Sequence, residues 1–244
     1  MLLSIIIPTY ENIEIFSKCN FILDKNIYEK NDFEIIITDD SETDIVEKFV
    51  SNYSYLKYYK HNRSQSPVDN WNFGLEKANG RYIWLLHHDE YINSIDPVIA
   101  ELKQCERNKI DIFIFDVYNI SNRSIKKFSS FLLKTITIKF PYLFIAYNTI
   151  GSPSVLIHKN IKLKYNRDLL YLTDVQYYYR LFSQGYKWRL SRQSIYSNID
   201  VHKKNSITSS FTDLKKQHFF ELSKLNLSFV KKKLLSMLII IRYF

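Results

Sequence analysis

Glycine is scarce, with 4 residues in a chain of 244. Neither G-x-G-x-x-G nor G-x-x-x-x-G-K-[ST] occurs, so the glycine-rich phosphate loops are excluded and any phosphate is held another way. There are only 2 cysteines, Cys19 and Cys105, each on the apolar face of a predicted helix. Two thiols make no metal cluster, and they read as buried core groups in a reducing compartment. Long apolar runs are absent too. Met1–Ile7 lacks a basic flank and is ended by Pro8, and Leu234–Ile241 is short. Neither can span a bilayer, and the first is no signal peptide, so a cytosolic protein is expected.

Acidic residues are missing from one long stretch, since no Asp or Glu lies between Asp116 and Asp168. From Lys203 onward nine basic residues face two acidic ones, so that most of the net charge of +9 sits there. Such surfaces suit nucleic acid, an anionic membrane surface or an anionic lipid-linked substrate, or are simply solvated. No nucleic-acid partner is expected. The 46% of hydrophobic residues supply a full core, and the length suits one α/β domain with a helical tail.

Apolar periodicity sets the order of elements. Ser4–Ile7 and Phe33–Thr38 read as buried parallel strands, Leu56–Tyr59 and Tyr82–Leu86 as further strands, and Ile110–Tyr118 as a fifth. Between them Ile15, Cys19 and Ile22, then Ile45 to Tyr53, then Val68 to Ala78 recur at helical spacing, and another helix begins near Pro97. Ser41 with Asp44 predicts a cap, and Gly80 falls just past a helix end. Beyond Tyr118 the spacing predicts a strand at Val155–His158, a helix at Thr173–Phe182 stopped by Gly185, two short strands, and a helical tail from about Phe211. This alternation predicts an α/β fold with an open, mainly parallel sheet flanked by helices.

Ligands of such sheets bind outside the carboxyl ends of the strands. Polar clusters stand at three of those ends: Pro8-Thr9-Tyr10-Glu11, Asp39-Asp40 and His87-His88-Asp89-Glu90. Spacing alone therefore predicts an acidic crevice.

These segments closely resemble family 2 glycosyltransferases of the GT-A fold. The resemblance is carried by Ser4 to Tyr10, Ile37 to Asp44, Asn70 to Leu75 and Asn79 to Glu90. It continues through Gly151-Ser152-Pro153-Ser154, Leu172-Thr173-Asp174 and His202-x-x-x-Ser206-x-Thr208, covering roughly residues 2–210. A GT-A domain over 1–210 and a basic tail over 211–244 follow. The family's metal motif is commonly Asp-x-Asp, whereas here its first position is His87, and Glu11 stands where Asn is common.

The resemblance implies an inverting sugar transfer from a nucleoside-diphosphate donor, UDP or another pyrimidine nucleotide, to a hydroxyl of a glycan or lipid-linked glycan acceptor. Asp40 would contact the base, with Pro8, Thr9, Tyr10, Glu11, Asp39 and His88 lining the nucleotide pocket. Asp89 and His202 would hold Mn2+ or Mg2+ with the diphosphate, and Asp174 would be the general base, with Asp168 as fallback. The chemistry is sensible, since a carboxylate accepts an imide N–H, a Tyr ring stacks on a base, and hard cations prefer oxygen. Plainer readings stand beside these. Asp39 and Asp40 also suit the start of a helix, Asp89 an exposed turn, Arg63 and His202 a solvated loop, and Trp71 and Trp84 the core. A nucleotidyltransferase and a non-catalytic nucleotide-sugar-binding protein are the alternatives.

Overall fold

The computed structural model describes residues 1–26, 32–61, 66–87, 90–119, 124–125, 129–197 and 211–243. Contacts divide the chain into two compact units. The first holds Met1–Ile125, Ser152–Lys164 and Tyr186–Asn198, and the second holds Lys126–Gly151, Tyr165–Gly185 and Ile199–Phe244.

The first unit is built on a single sheet. Its strands are β1 (Leu3–Thr9), β2 (Phe33–Asp39), β3 (Lys57–Lys60), β4 (Tyr82–Leu85), β5 (Glu90–Tyr91), β6 (Ile112–Asn119), β7 (Ser124–Ile125), β8 (Leu156–Lys159) and β9 (Trp188–Ser197). The order is β3-β2-β1-β4-β8-β6-β9-β5, with β7 on β6. The first four are mutually parallel and β8 reverses direction between β4 and β6. β1 and β2 are buried along their whole length, which is why they read as continuous apolar runs.

The chain steps from β1 outward to β2 and β3, then returns to the other side of β1 as β4. That reversal creates a topological switch point between β1 and β4, where open sheets bind ligands. Pro8 does not end β1, which runs on to Thr9. The missing N–H is tolerated because β4 pairs only as far as Ile6, leaving Pro8 with β2 alone beside it.

Helices cover the sheet: α1 (Glu14–Lys18), α2 (Asn20–Leu23), α3 (Ile45–Val50), α4 (Pro67–Lys77) and α5 (Asp96–Arg107). The helix predicted around Cys19 is broken in two there, with the Cys19 backbone at φ −110°, ψ 79°. The Ser41 cap does not form. Asp44 holds the N-cap position of α3 without a side-chain capping bond, and Ser41 is drawn to Asp39 instead. The two strands expected after Gly185 are one, β9. Its register against β6 jumps between Ile114 and Asp116, and the extra residues break the alternation in two. Cys19 and Cys105 are buried free thiols, as expected.

The second unit is helical. It contains α6 (Ser129–Lys139), a 3-10 segment (Pro141–Ile145), α7 (Thr173–Phe182), α8 (Leu214–Lys224) and α9 (Phe229–Arg242). Its core joins Phe144, Tyr177, Tyr178, Leu181, Leu235 and Ile239. Tyr165 and Tyr177 stack with centroids 4.0 Å apart. α7 matches its predicted span, whereas α6 and the 3-10 segment had no clear sequence pattern.

Gly80 is required for a reason that its place after a helix does not reveal. A Cβ there would collide with the Ser4 backbone and sit 2.6 Å from the Leu3 carbonyl carbon. At Gly185 a Cβ meets open space and only the φ of +72° opposes it. Gly80→Ala should therefore cost about 2–3 kcal/mol and Gly185→Ala about 1 kcal/mol, measured by denaturant unfolding. Equal losses would refute the close approach at Gly80.

Candidate functional site

The carboxyl ends of β1 and β2 are tied into one polar network. Register places Thr9 opposite Asp39, and the Asp40 N–H donates to the Thr9 carbonyl at 3.3 Å. The Thr9 hydroxyl donates to the Thr38 carbonyl at 3.3 Å. Asp39 is fully buried. Its carboxylate accepts the Ser41 N–H at 3.0 Å, the Ser41 hydroxyl, the Tyr58 hydroxyl at 2.7 Å and the Lys60 ammonium at 3.1 Å. Burial acts to raise its pKa, but the bonds from Ser41, Tyr58 and Lys60 outweigh it and hold the carboxyl below the ordinary value. Asp39 is thus a charged anchor of the strand end.

Asp40 differs. It is half-buried, and Asn70 of α4 donates to its Oδ1 at 3.1 Å while also donating to the carbonyls of Thr9 and Thr38 at 3.3 and 3.1 Å. One amide therefore fixes both strand ends and orients the Asp40 carboxylate. Asn70 Oδ1 and, past β3, His61 Nδ1 are buried with no hydrogen-bond partner among the described residues. Buried polar atoms left in that state at strand ends are sites a polar ligand can satisfy.

Tyr10 follows β1 with an exposed ring. Glu11 stands at φ +50°, an uncommon conformation for a side-chain-bearing residue. It is held there from both sides. Its N–H donates to the Ser41 hydroxyl oxygen at 2.7 Å, and its carboxylate accepts the Thr43 N–H at 2.8 Å and the Thr43 hydroxyl. The Thr43 hydroxyl is the main cause of its lowered pKa. Glu11 thus clasps the loop after β2 to the loop after β1.

At the end of β4, the His87 N–H donates to Ser154 Oγ at 2.8 Å and its ring lies 4.8 Å from that of Trp71. Trp84 is core, with its indole N–H donating to the Ser154 carbonyl at 2.7 Å. Glu90 is buried and accepts the Ser152 hydroxyl at 2.5 Å. His88, Asp89, Arg63 and His202 lie outside the described residues. Among the described residues no three His, Cys, Asp or Glu side chains gather as a metal cage.

In the second unit, Asp174 lies half-buried in the first turn of α7, where the helix dipole favours its charged form. Leu172 caps α7 and offers no side-chain bond. The turn before the helix is held from elsewhere, by the buried Glu221 of α8. Its carboxylate accepts the N–H groups of Leu170 at 3.1 Å, Tyr171 at 3.0 Å and Leu172 at 2.8 Å, and the Gln217 amide at 2.7 Å. The Tyr171 and Tyr243 hydroxyls meet at 2.6 Å. Asp168 is an exposed residue in the turn before this segment. Asn70, Lys60 and Glu221 were missed as site residues. For Asn70 the available signal was a polar residue between the apolar positions Val68 and Trp71 of a helix.

Comparison with known proteins gives consistent results. The family model described as "Glycosyl transferase family 2" matches residues 4–167. A poly(ribitol-phosphate) beta-glucosyltransferase of Bacillus spizizenii is 28% identical over 132 residues, covering 52% of this chain and 21% of that protein. The poly(ribitol-phosphate) beta-N-acetylglucosaminyltransferase TarS of Staphylococcus aureus is 30% identical over 97 residues, 38% of this chain and 17% of that protein. The matches thus span about a fifth of the length of these relatives. The crystal structure of S. aureus TarS 1–349 in complex with UDP-GlcNAc superposes with a TM-score of 0.63 at 18% identity, covering 100% of this chain and 73% of that one. The mannosyltransferase PcManGT of Pyrobaculum calidifontis, in complex with GDP-Man and Mn2+, gives 0.58 at 12% identity, covering 97% and 68%. These similarities show a shared fold.

The Asp39 network predicts a pH-dependent defect. Lys60→Met should cost about 1–3 kcal/mol at neutral pH. Because the folded pKa of Asp39 is depressed, its stabilisation is present above the unfolded value of about 3.9 and is lost as pH falls through the folded value. The Tm gap between the two proteins should close in acid, and a gap of constant size would count against the ionised pair. Glu221→Gln keeps one acceptor oxygen but turns an amide N–H toward at least two N–H donors, those of Tyr171 and Leu172, and should cost about 1–3 kcal/mol by denaturant unfolding.

Proposed function

Because the chain belongs to glycosyl transferase family 2, we propose that it moves a sugar from a nucleoside-diphosphate donor to a hydroxyl acceptor with inversion at the anomeric carbon. The observation that carries this reading is the polar network at the ends of β1 and β2. There Asn70 orients the Asp40 carboxylate, and the exposed Tyr10 follows the paired end of β1. A carboxylate so held can accept the imide N–H of a pyrimidine, and a Tyr ring can stack on it. UDP is the proposed nucleotide, supported by the relative whose structure holds UDP-GlcNAc. Pro8, Thr9, Glu11, Asp39 and His88 complete the pocket in this reading, with Asp39 and Glu11 shaping it through the bonds they make.

Asp174 is the proposed general base. It takes the proton of the acceptor hydroxyl as that oxygen attacks the anomeric carbon, and the bond to the diphosphate breaks. A single displacement of this kind needs one base and no covalent intermediate. Asp89 and His202 would hold Mn2+ or Mg2+, which when bound stabilises the charge of the departing diphosphate. The acceptor is proposed to be an anionic surface polymer or its lipid-linked precursor, of the poly(ribitol-phosphate) kind named for the relatives. An excess of Lys and Arg over 203–244, with no acid between Asp116 and Asp168, suits such an acceptor. The proposed location is the cytoplasm, at the inner face of the plasma membrane. No helix among the described residues is long and apolar enough to cross a membrane.

Two measurements test this. UDP with Mn2+ should raise the Tm, and Asp40→Asn should remove most of that rise. Asp174→Asn should keep nucleotide binding and Tm while turnover falls by roughly 10²–10⁴-fold, the usual share of general-base catalysis. Near-normal turnover in Asp174→Asn would end the base assignment, and binding without turnover in either protein would leave a binding protein.

A further inference from the structure

Two helices of the second unit carry an apolar stripe on their outward side. α6 buries Lys134, Thr137 and Ile138 while exposing Leu132, Leu133 and Ile136, and Phe140 just past its end is exposed too. At 3.6 residues per turn Leu132, Leu133 and Ile136 fall on one side of the helix, and Leu132 is 61% exposed. α9 buries Leu235 and Ile239 on its inner side. Its outer arc carries Phe229 and Val230, which are 80% and 74% exposed, followed by Leu234, Met237, Ile240 and Ile241. An apolar stripe normally faces the core, so two stripes facing outward are a departure that calls for a partner.

The two stripes are joined. The 3-10 segment Pro141–Ile145 follows α6, and α9 is fastened beside it by bonds from the Arg242 guanidinium to the Ala146 carbonyl at 2.7 Å and from the Tyr147 hydroxyl to the Leu238 carbonyl at 3.3 Å. Within that segment the Tyr142 ring lies 6.5 Å from the exposed Phe140 ring and 5.6 Å from the Lys231 ammonium. The end of α6 therefore adjoins the start of α9.

The charge beside these stripes has one sign. On α9, Lys231 and Lys232 flank the apolar arc on its two sides and Lys233 lies within it. Lys139 closes α6 with its ammonium over the Phe140 ring, and neither helix contains an acid. Long basic side chains beside an apolar arc can reach headgroup phosphates while their stems lie along the acyl boundary. A second copy of the chain would bring lysine against lysine across the same faces, at an electrostatic cost.

We propose that the outward faces of α6 and α9 form a docking surface for an anionic phospholipid membrane, lying in its interface without crossing it. This deepens the inner-membrane location proposed above by naming the residues that would make the contact. Binding is read without donor or acceptor, so it fails or stands separately from the transfer reaction.

The test is cosedimentation of the full chain with phosphatidylcholine vesicles, with and without phosphatidylglycerol. Binding should require phosphatidylglycerol and weaken with salt. Phe229→Ser, Met237→Ser and Ile241→Ser combined should weaken it by about tenfold or more with little change in Tm, since all three side chains face outward. Leu132→Ser with Ile136→Ser, on the other helix, should do the same, so a folding failure in one variant leaves the other decisive. Undiminished binding by both variants, or equal binding to both vesicle types, overturns the proposal. So does a dimer in light scattering that the triple variant turns into a monomer while the full chain ignores vesicles.

Discussion

Two buried carboxylates at opposite ends of β2 constrain the first unit. At one end Glu34 accepts the Ser4 hydroxyl and the Lys57 ammonium, each at 2.6 Å, and the Asn79 N–H at 2.9 Å. At the other, Asp39 accepts Ser41, Tyr58 and Lys60. A carboxylate buried without such partners would cost several kcal/mol, on the order of the stability of a domain. A one-residue slip of β2 would turn every side chain to the other face and break both sets of bonds at once. Register is thus fixed from both ends, and with it the placing of Thr9 opposite Asp39. The two lysines come from β3, where charged ends also blunt an exposed edge.

The polar network at the strand ends depends on that register. Asn70 reaches the carbonyls of Thr9 and Thr38 and the carboxylate of Asp40 only because β1 and β2 end at the same level. α4 can come close enough because Gly74 faces β1, where a Cβ would collide with the Ile6 side chain. The dinucleotide-fold device of glycines around a phosphate is absent. The glycines here let backbone and helix approach, and side-chain carboxylates and amides do the polar work.

β1, β2 and β4 were legible in the sequence because they are buried on both faces and so spell apolar runs, whereas β3 is half-buried along its length. The strand-end clusters at Thr9, Asp39 and Asp40 were legible for the same reason, since the runs stop there. α6 was not legible because Leu132, Leu133 and Ile136 face outward while Lys134 and Thr137 are buried with Ile138. β9 was misread as two strands because its bulge interrupts the period of two. Asn70 showed only as a polar residue between apolar helix positions, with its Asp40 partner 30 residues away, and Glu221 could not be found by local pattern, since its partners lie about 50 residues away.

The second unit solves a different problem, that of holding the start of α7. With no side-chain cap at Leu172, the N–H groups ahead of the helix would be left unsatisfied in a half-buried turn. Glu221 supplies the acceptors from α8, and His218 on the same helix bonds the Ile145 carbonyl at 2.7 Å. Burial is the main cause that pushes the His218 pKa down to about 4, so its imidazole is neutral near pH 7 and packs without a counter-charge. α8 is therefore bound into the core that carries Asp174 by one buried carboxylate and one neutral imidazole. The position of Asp174 then follows from the anchoring of the turn before it, which makes residues far along the chain part of how that carboxylate is aimed.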